Sequence, residues 1–397
     1  MSIVTSYQRA FKAGKLDPYP VEVIRRVDQP TTIVRDDEVQ RLDERRSGFN
    51  RALLGDFGPQ LAREKHRFVA KHPLSGALVQ MQITLADIVD GIVAGKTAPL
   101  PDDPAMMARH IKQTAYFLRA DLVGICELPP YSVYSHSMPD GDPVELTHKY
   151  AIAILIDQDW KTAEATVGND WISNSMSFLS YSTSGFIACI LADYIRRLGY
   201  PARAHHARNY QVVVPPILLK AGLGEMCRIG DIVLNPFLGP RFKASVVTTD
   251  LPLAVDKPIE FGLQDFCSKC KQCARYCPSG AITFGEKVVK NGYEKWSNDM
   301  IKCTKQRVGN KTGAGCGVCI CVCPWNKPYT PFHRMVMWTM RNIPFARKFA
   351  VWGDELLGYD KPKLENKWWL DLEDVEGTLQ VPPHAGHRGN NQPERFN

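Results

Sequence analysis

Two cysteine runs constrain this chain more than any other feature: CSKCKQCARYCP, from Cys267 to Pro278, and CGVCICVCP, from Cys316 to Pro324. The first has the spacing Cys-x2-Cys-x2-Cys-x3-Cys-Pro, at which bacterial iron–sulfur proteins hold 4Fe-4S clusters. The second keeps the last part of that pattern in Cys316, Cys319 and Cys323, and Cys303 supplies the missing first thiol. Three closely spaced thiolates wrap one cluster, while the fourth, displaced and turned by proline, points toward a neighbour. Two such runs therefore exchange their last cysteines. One cluster is expected on Cys267, Cys270, Cys273 and Cys323, the other on Cys277, Cys303, Cys316 and Cys319.

Zinc and disulfides are the competing uses of these thiols. Zinc sites need four ligands in two CxxC-like pairs, which eight cysteines with two Cys-Pro endings overshoot. Disulfides suit small secreted chains, whereas this chain has 397 residues and crowds its thiols into one third of its length. Cys321 lies off the cluster spacing, and Cys126, Cys189 and Cys227 lie far outside the runs, so these four read as buried small hydrophobes.

At 44% hydrophobic and 23% charged residues, the chain is an ordinary globular sequence able to bury two or three cores. A net charge of +7, spread without a long basic run, gives no indication of nucleic acid. The uncharged stretch from Trp171 to Ala192 is long enough to span a bilayer, but its many serines argue against that. Neither an apolar signal core nor a twin arginine opens the chain, so a reducing, cytoplasmic location is expected.

Residues 1–100 read as an N-terminal wrapping arm with helices, including a helix-compatible RDDEVQRLDERRSGFNRALL. From 101 to 262, helix and strand patterns alternate. Pro104 opens a helix, DLVGIC and KYAIAILID read as buried strands, Ser175–Leu198 as a long helix, and ARAHHARNYQVVVPP as strand-like. This alternation argues an α/β or α+β body. The cluster region occupies 263–330, a C-terminal helix pair 331–365, and a polar tail 366–397.

The segments AYFLRADLVGICEL, AGLGEMCRIGDIVLNPFLGPRFKASVVTTDLPL, CSKCKQCARYCPSGAI and CGVCICVCPWNKP, taken together, resemble the corrinoid-dependent reductive dehalogenases. The resemblance spans most of residues 105–340. It implies a nitroreductase-like α/β domain holding cobalamin, here with Gly222, Leu223 and Gly224 at the cofactor, and a ferredoxin-like domain feeding it electrons. The implied reaction is two-electron reductive cleavage of a carbon–halogen bond, through cob(I)alamin, in an organohalide such as a haloaromatic compound. No Asp-x-His-x-x-Gly motif supplies a histidine to cobalt, so the corrinoid is expected base-off. Electrons are expected from a separate donor such as reduced ferredoxin, flavodoxin or a reductase. Epoxyqueuosine reductase, acting on tRNA, is the alternative that CPSGAI and CPWNK also resemble, and a plain iron–sulfur electron carrier is a third.

By the same resemblance Tyr181 corresponds to the tyrosine that donates a proton to the dehalogenated carbon. A phenol keeps its proton at neutral pH and releases it more readily beside a cation. Arg241 is the expected cation, with Lys243 as the alternative. Asn209 is expected to orient the substrate, with Arg208 beside it as the second choice. His205 and His206, adjacent on a strand, point to opposite faces and read as core or surface residues.

Overall fold

The computed structural model describes residues 16–380, except 70, 139–140, 167, 169–170, 311–314, 360, 370–372 and 376–377. Residues 381–397 of the expected polar tail lie outside the described residues. A four-stranded sheet organises the body: β1 (Leu122–Glu127), β2 (Tyr150–Asp157), β3 (Ala202–His205) and β4 (Phe242–Thr249), in the spatial order β1-β2-β4-β3. Every pairing is antiparallel, with Ile125 opposite Ile152, Ile156 opposite Lys243 and His205 opposite Val246. The class is therefore α+β, and the alternation of helix and strand in the sequence does not build a parallel sheet. Strand β2 is central and apolar on both faces: Ile152 and Ile154 enter one core layer, Ala151, Ala153 and Leu155 the other.

Helices α1 (Pro73–Ala86), α2 (Pro104–Phe117) and α3 (Ile172–Arg197) lie on the Ile152 side. Helix α2 starts where Pro104 takes the first turn and the Asp103 carboxylate accepts from the backbone N–H of Ala105 and Met106, at 2.9 and 3.2 Å. Helix α3 is long and apolar enough to cross a bilayer by length and composition. Its serines instead bind it to the body. Ser180 Oγ donates to the Asp157 carbonyl at 2.9 Å, Ser182 Oγ to the Leu78 carbonyl at 2.9 Å, and Ser184 Oγ meets Ser245 Oγ of β4 at 2.8 Å. Small side chains let the helix axis approach the sheet while each hydroxyl finds a partner.

The opposite face of the sheet carries helix α4 (Val214–Lys220) and shares one continuous apolar core with the cysteine region, through Phe261, Phe266, Trp296 and Trp325. The cysteines follow in α5 (Leu263–Cys270), the turn Gln272–Arg275, α6 (Met300–Gly309) and α7 (Val318–Cys321). Helices α8 (Pro331–Asn342) and α9 (Ala346–Leu356) come next, with α9 packed on α5.

Two local expectations are corrected. In ARAHHARNYQVVVPP only Ala202–His205 pairs into the sheet, because the chain turns at His206–Asn209 and the two prolines start α4. In RDDEVQRLDERRSGFNRALL the only helical pieces are a 3-10 turn, Glu44–Arg46, and Gly48–Leu53. Upstream, the Arg41 guanidinium donates to the carbonyls of Val133, Tyr134 and Val144, so long-range bonds hold that stretch away from a helix.

The contact between α3 and β4 leaves no room for a larger side chain. Ser184→Leu is expected to destabilise the fold by about 1–3 kcal/mol through overpacking, with a further loss from the abandoned Ser245 hydroxyl. Chemical denaturation of the variant against the parent measures this.

Candidate iron–sulfur and substrate site

Cys267, Cys270, Cys273 and Cys323 line one cavity of about 310 Å³. The two stretches meet there because the chain reverses at Lys271, in a left-handed conformation with φ 57°, and because Cys323 returns beside Phe266. Burial lifts Cys267, Cys270 and Cys323 to about 12. Cys303, Cys316 and Cys319 face one another and Cys277, and mutual repulsion adds to burial in raising the latter two. The eight thiols thus fall into two sets of four. Among the described residues no three His, Cys, Asp or Glu side chains converge tightly enough to hold a single metal ion. The first set lines a space instead of meeting at a point, a donor arrangement that fits a 4Fe-4S cluster better than zinc.

The remaining cysteines divide. Cys321 donates its S–H to the Glu164 carbonyl at 3.2 Å, and Cys126 and Cys189 donate to the carbonyls of Ile217 and Leu85, each at 3.7 Å. Cys227 lines the same cavity as Cys267 and its three companions.

Tyr181 lies on α3, one turn from Ser177 and Ser184, on the flank that meets the sheet. Lys243 on β4 shares the helix-facing side with Ser245, two residues on, and brings its Nζ to 5.4 Å from the centre of the Tyr181 ring. Burial raises the phenol, opposed by the charge of Arg307. Burial, with Arg307 as a second cause, lowers Lys243 to about 8. Arg307, which the sequence reading missed, sits on α6 one turn after Cys303, so the helix that presents a thiol also presents this guanidinium. Its guanidinium lies 4.5 Å from the Phe49 ring centre, with Lys65 Nζ on the same ring at 5.3 Å. Burial, then Arg208 and Arg307, lower Lys65 to about 8. Among the described residues, none of Lys65, Arg208, Lys243 and Arg307 has a carboxylate partner. The second thiol set borders this site: the Ser173 hydroxyl, near the start of α3, donates to the Cys316 carbonyl.

Other sequence candidates sit elsewhere. Arg241 is 3% exposed and forms a two-pronged ion pair with Asp157, Nε to Oδ1 at 2.8 Å and Nη2 to Oδ2 at 3.2 Å, with Nη1 on Asn326 and Lys327. It is not the partner of Tyr181, because a guanidinium so buried is taken by the carboxylate across the strand pair. The Asn209 side chain is engaged within the protein: its Oδ1 accepts from Arg203 at 2.6 Å and its Nδ2 donates to the Ala86 carbonyl at 3.4 Å. His205 bonds Thr248 and Arg203 in the core. Gly222 and Leu223 line a cleft of about 1350 Å³. The close approach that glycine allows is nonetheless made to the protein: a Cβ on Gly222, at φ +65°, would stand 2.2 Å from the Lys257 carbonyl, and one on Gly224 2.3 Å from that of Leu234.

Two sets of buried thiols beside an antiparallel α+β body define a dicluster iron–sulfur protein. Residues 266–327 match the 4Fe-4S dicluster domain model. The chain is 30% identical to the tetrachloroethene reductive dehalogenase of Sulfurospirillum multivorans, over 68% of this chain and 60% of that protein. It is 42% identical, with a TM-score of 0.92, to the catabolic reductive dehalogenase NpRdhA solved in complex with 3-bromo-4-hydroxybenzoic acid, over 98% of this chain and 57% of that one. Epoxyqueuosine reductase of Escherichia coli is 26% identical over 48% of this chain. The chain belongs to the reductive dehalogenase family, and it spans 57% to 60% of the length of these dehalogenase relatives.

Two outcomes test these placements. Cys323→Ser should strip one cluster from anaerobically reconstituted protein, taking iron from about eight toward about four per chain, while Cys321→Ser leaves it unchanged. Arg241→Met should cost about 3–5 kcal/mol in chemical denaturation, since it leaves the Asp157 carboxylate buried without its partner.

Proposed function

We propose that the protein is a reductive dehalogenase acting on anionic haloaromatic compounds, such as halophenols or halobenzoates. The observation that carries this reading is the pair of cations at Tyr181, Lys243 and Arg307, which have no carboxylate partner among the described residues, with Lys65 next to Arg307 on the Phe49 ring. Cations left unpaired at a half-buried site are costly unless a ligand supplies the anion, and an arginine presents two parallel donors to a carboxylate. That NpRdhA was solved with a brominated hydroxybenzoic acid agrees with it.

The reaction consumes two electrons and one proton, replacing the carbon–halogen bond by a carbon–hydrogen bond and releasing halide. When bound, the two 4Fe-4S clusters and a corrinoid supply the electrons. The eight cysteines would hold the clusters in their two sets, and Gly222 and Leu223, on the wall of the 1350 Å³ cleft, would hold the corrinoid.

Arg307 would bind the anionic oxygen of the substrate, with its guanidinium oriented by the Phe49 ring. Tyr181 would donate its proton to the carbon that loses halide, and its hydroxyl bonds no described residue. The phenolate left behind would be stabilised by the Lys243 ammonium and by Arg307. The thiol set of Cys277, Cys303, Cys316 and Cys319 adjoins these residues, so the set of Cys267, Cys270, Cys273 and Cys323 would face the external donor, a reduced ferredoxin, flavodoxin or reductase. Twelve cysteines without a disulfide suit the cytoplasm.

Anaerobic reconstitution with iron, sulfide and cobalamin, followed by a halide-release screen, tests the proposal. Halophenols and halobenzoates should turn over and tetrachloroethene should not; turnover of the neutral alkene alone, or of epoxyqueuosine tRNA, would overturn it. Tyr181→Phe should lower halide release by about 100-fold to 10,000-fold with iron and cobalt contents unchanged. Lys243, depressed to about 8, is cationic below that pH and neutral above it, so kcat/KM should fall as pH rises through about 8. Lys243→Arg, which keeps its charge, should move that limb to higher pH.

A further inference from the structure

Cys227 lies outside both cysteine runs, yet it stands in the wall of the 310 Å³ cavity with Cys267, Cys270, Cys273 and Cys323. Its place is fixed by local structure. The short antiparallel pair Glu225–Met226 and Val233–Leu234 ends in a turn closed by the Cys227 N–H donating to the Ile232 carbonyl at 3.0 Å. The next residue, Arg228, is fully buried and ties this turn to the first run: Nε donates to the Cys267 carbonyl at 2.9 Å, and Nη1 to the carbonyls of Thr283 and Gly285, each at 2.9 Å. Its guanidinium also stacks 4.7 Å from the Trp296 ring centre. Cys227 therefore keeps a constant position relative to the backbone of a cluster-binding cysteine.

The hydrogen-bonding of its thiol sets it apart. The other three cysteines outside the two ligand sets each give their S–H to a backbone carbonyl: Cys126 to Ile217, Cys189 to Leu85 and Cys321 to Glu164. Cys227, 1% exposed, has no such acceptor among the described residues, and what it faces is the cavity of the first thiol set.

We propose that Cys227 is a positioning residue for the outer cluster, donating an S–H hydrogen bond to a sulfur of the 4Fe-4S cluster held by Cys267, Cys270, Cys273 and Cys323. The inference rests on the cluster assignment above. A hydrogen bond to a cluster sulfur stabilises the more negatively charged reduced state and raises the reduction potential. Cys227 thereby makes this cluster easier to reduce than it would be without the bond.

The test is an EPR-monitored redox titration of the reconstituted parent, Cys227→Ala and Cys227→Ser, with iron determined in each. The parent must first show about eight irons and two cluster signals; if it does not, the cluster assignment fails before any variant is read. The expected result is full iron in Cys227→Ala with the midpoint of one cluster moved to more negative potential and the other unmoved. Cys227→Ser, which keeps a donor, should move it less, and it serves alone against the parent if the alanine variant does not fold. An unchanged midpoint in Cys227→Ala overturns the proposal and leaves the cluster assignment standing. Loss of about half the iron also overturns it, since Cys227 would then be a ligand.

Discussion

Eight thiols confined to buried space are the constraint on which the rest of the structure depends. A buried thiol holds its proton, as the elevated Cys267, Cys270, Cys316 and Cys323 show, and only the charge of bound iron offsets the cost of ionising so many in one place. Metal binding is then part of the folding free energy of this region. Because Phe266, Trp296 and Trp325 belong to the core that also fills the far face of the sheet, the state of the clusters and the packing of the body are one problem. Arg228 marks the join, using the largest fully buried side chain among the described residues to hold three carbonyls of the cysteine region.

The same arrangement places the cations near Tyr181. Helix α6 carries Cys303 and, a turn later, Arg307, so one rigid element presents a thiol of the second set and a cation that acts on Tyr181 and Lys243. A cluster held by four thiolates carries net negative charge, and Cys319 already opposes the depression of Lys243. Tyr181 is set into this field by α3, whose serines allow the close approach to β4 that places Lys243 over its ring.

The sequence by itself determined what depends on spacing along the chain. Cysteine intervals and prolines mark the two runs, unbroken apolar stretches mark β1 and β2, and Asp103-Pro104 marks the start of α2, because each is a local signal read by nearby backbone. The dehalogenase resemblance was legible in four sequence segments, whereas the all-antiparallel pairing that makes the class α+β was not. Only the tertiary structure decided the partners of charged side chains. Arg241 and Lys243 are two residues apart and alike in sequence, yet one is taken by Asp157 and the other stands over Tyr181, since the choice rests on which elements the sheet order β1-β2-β4-β3 brings together. Arg307 escaped notice, and Cys227 read only as a small hydrophobe, for the same reason: what a helical arginine near one cysteine or a cysteine far from the rest stands beside is set when the chain returns on itself, and no short-range pattern records where a chain returns.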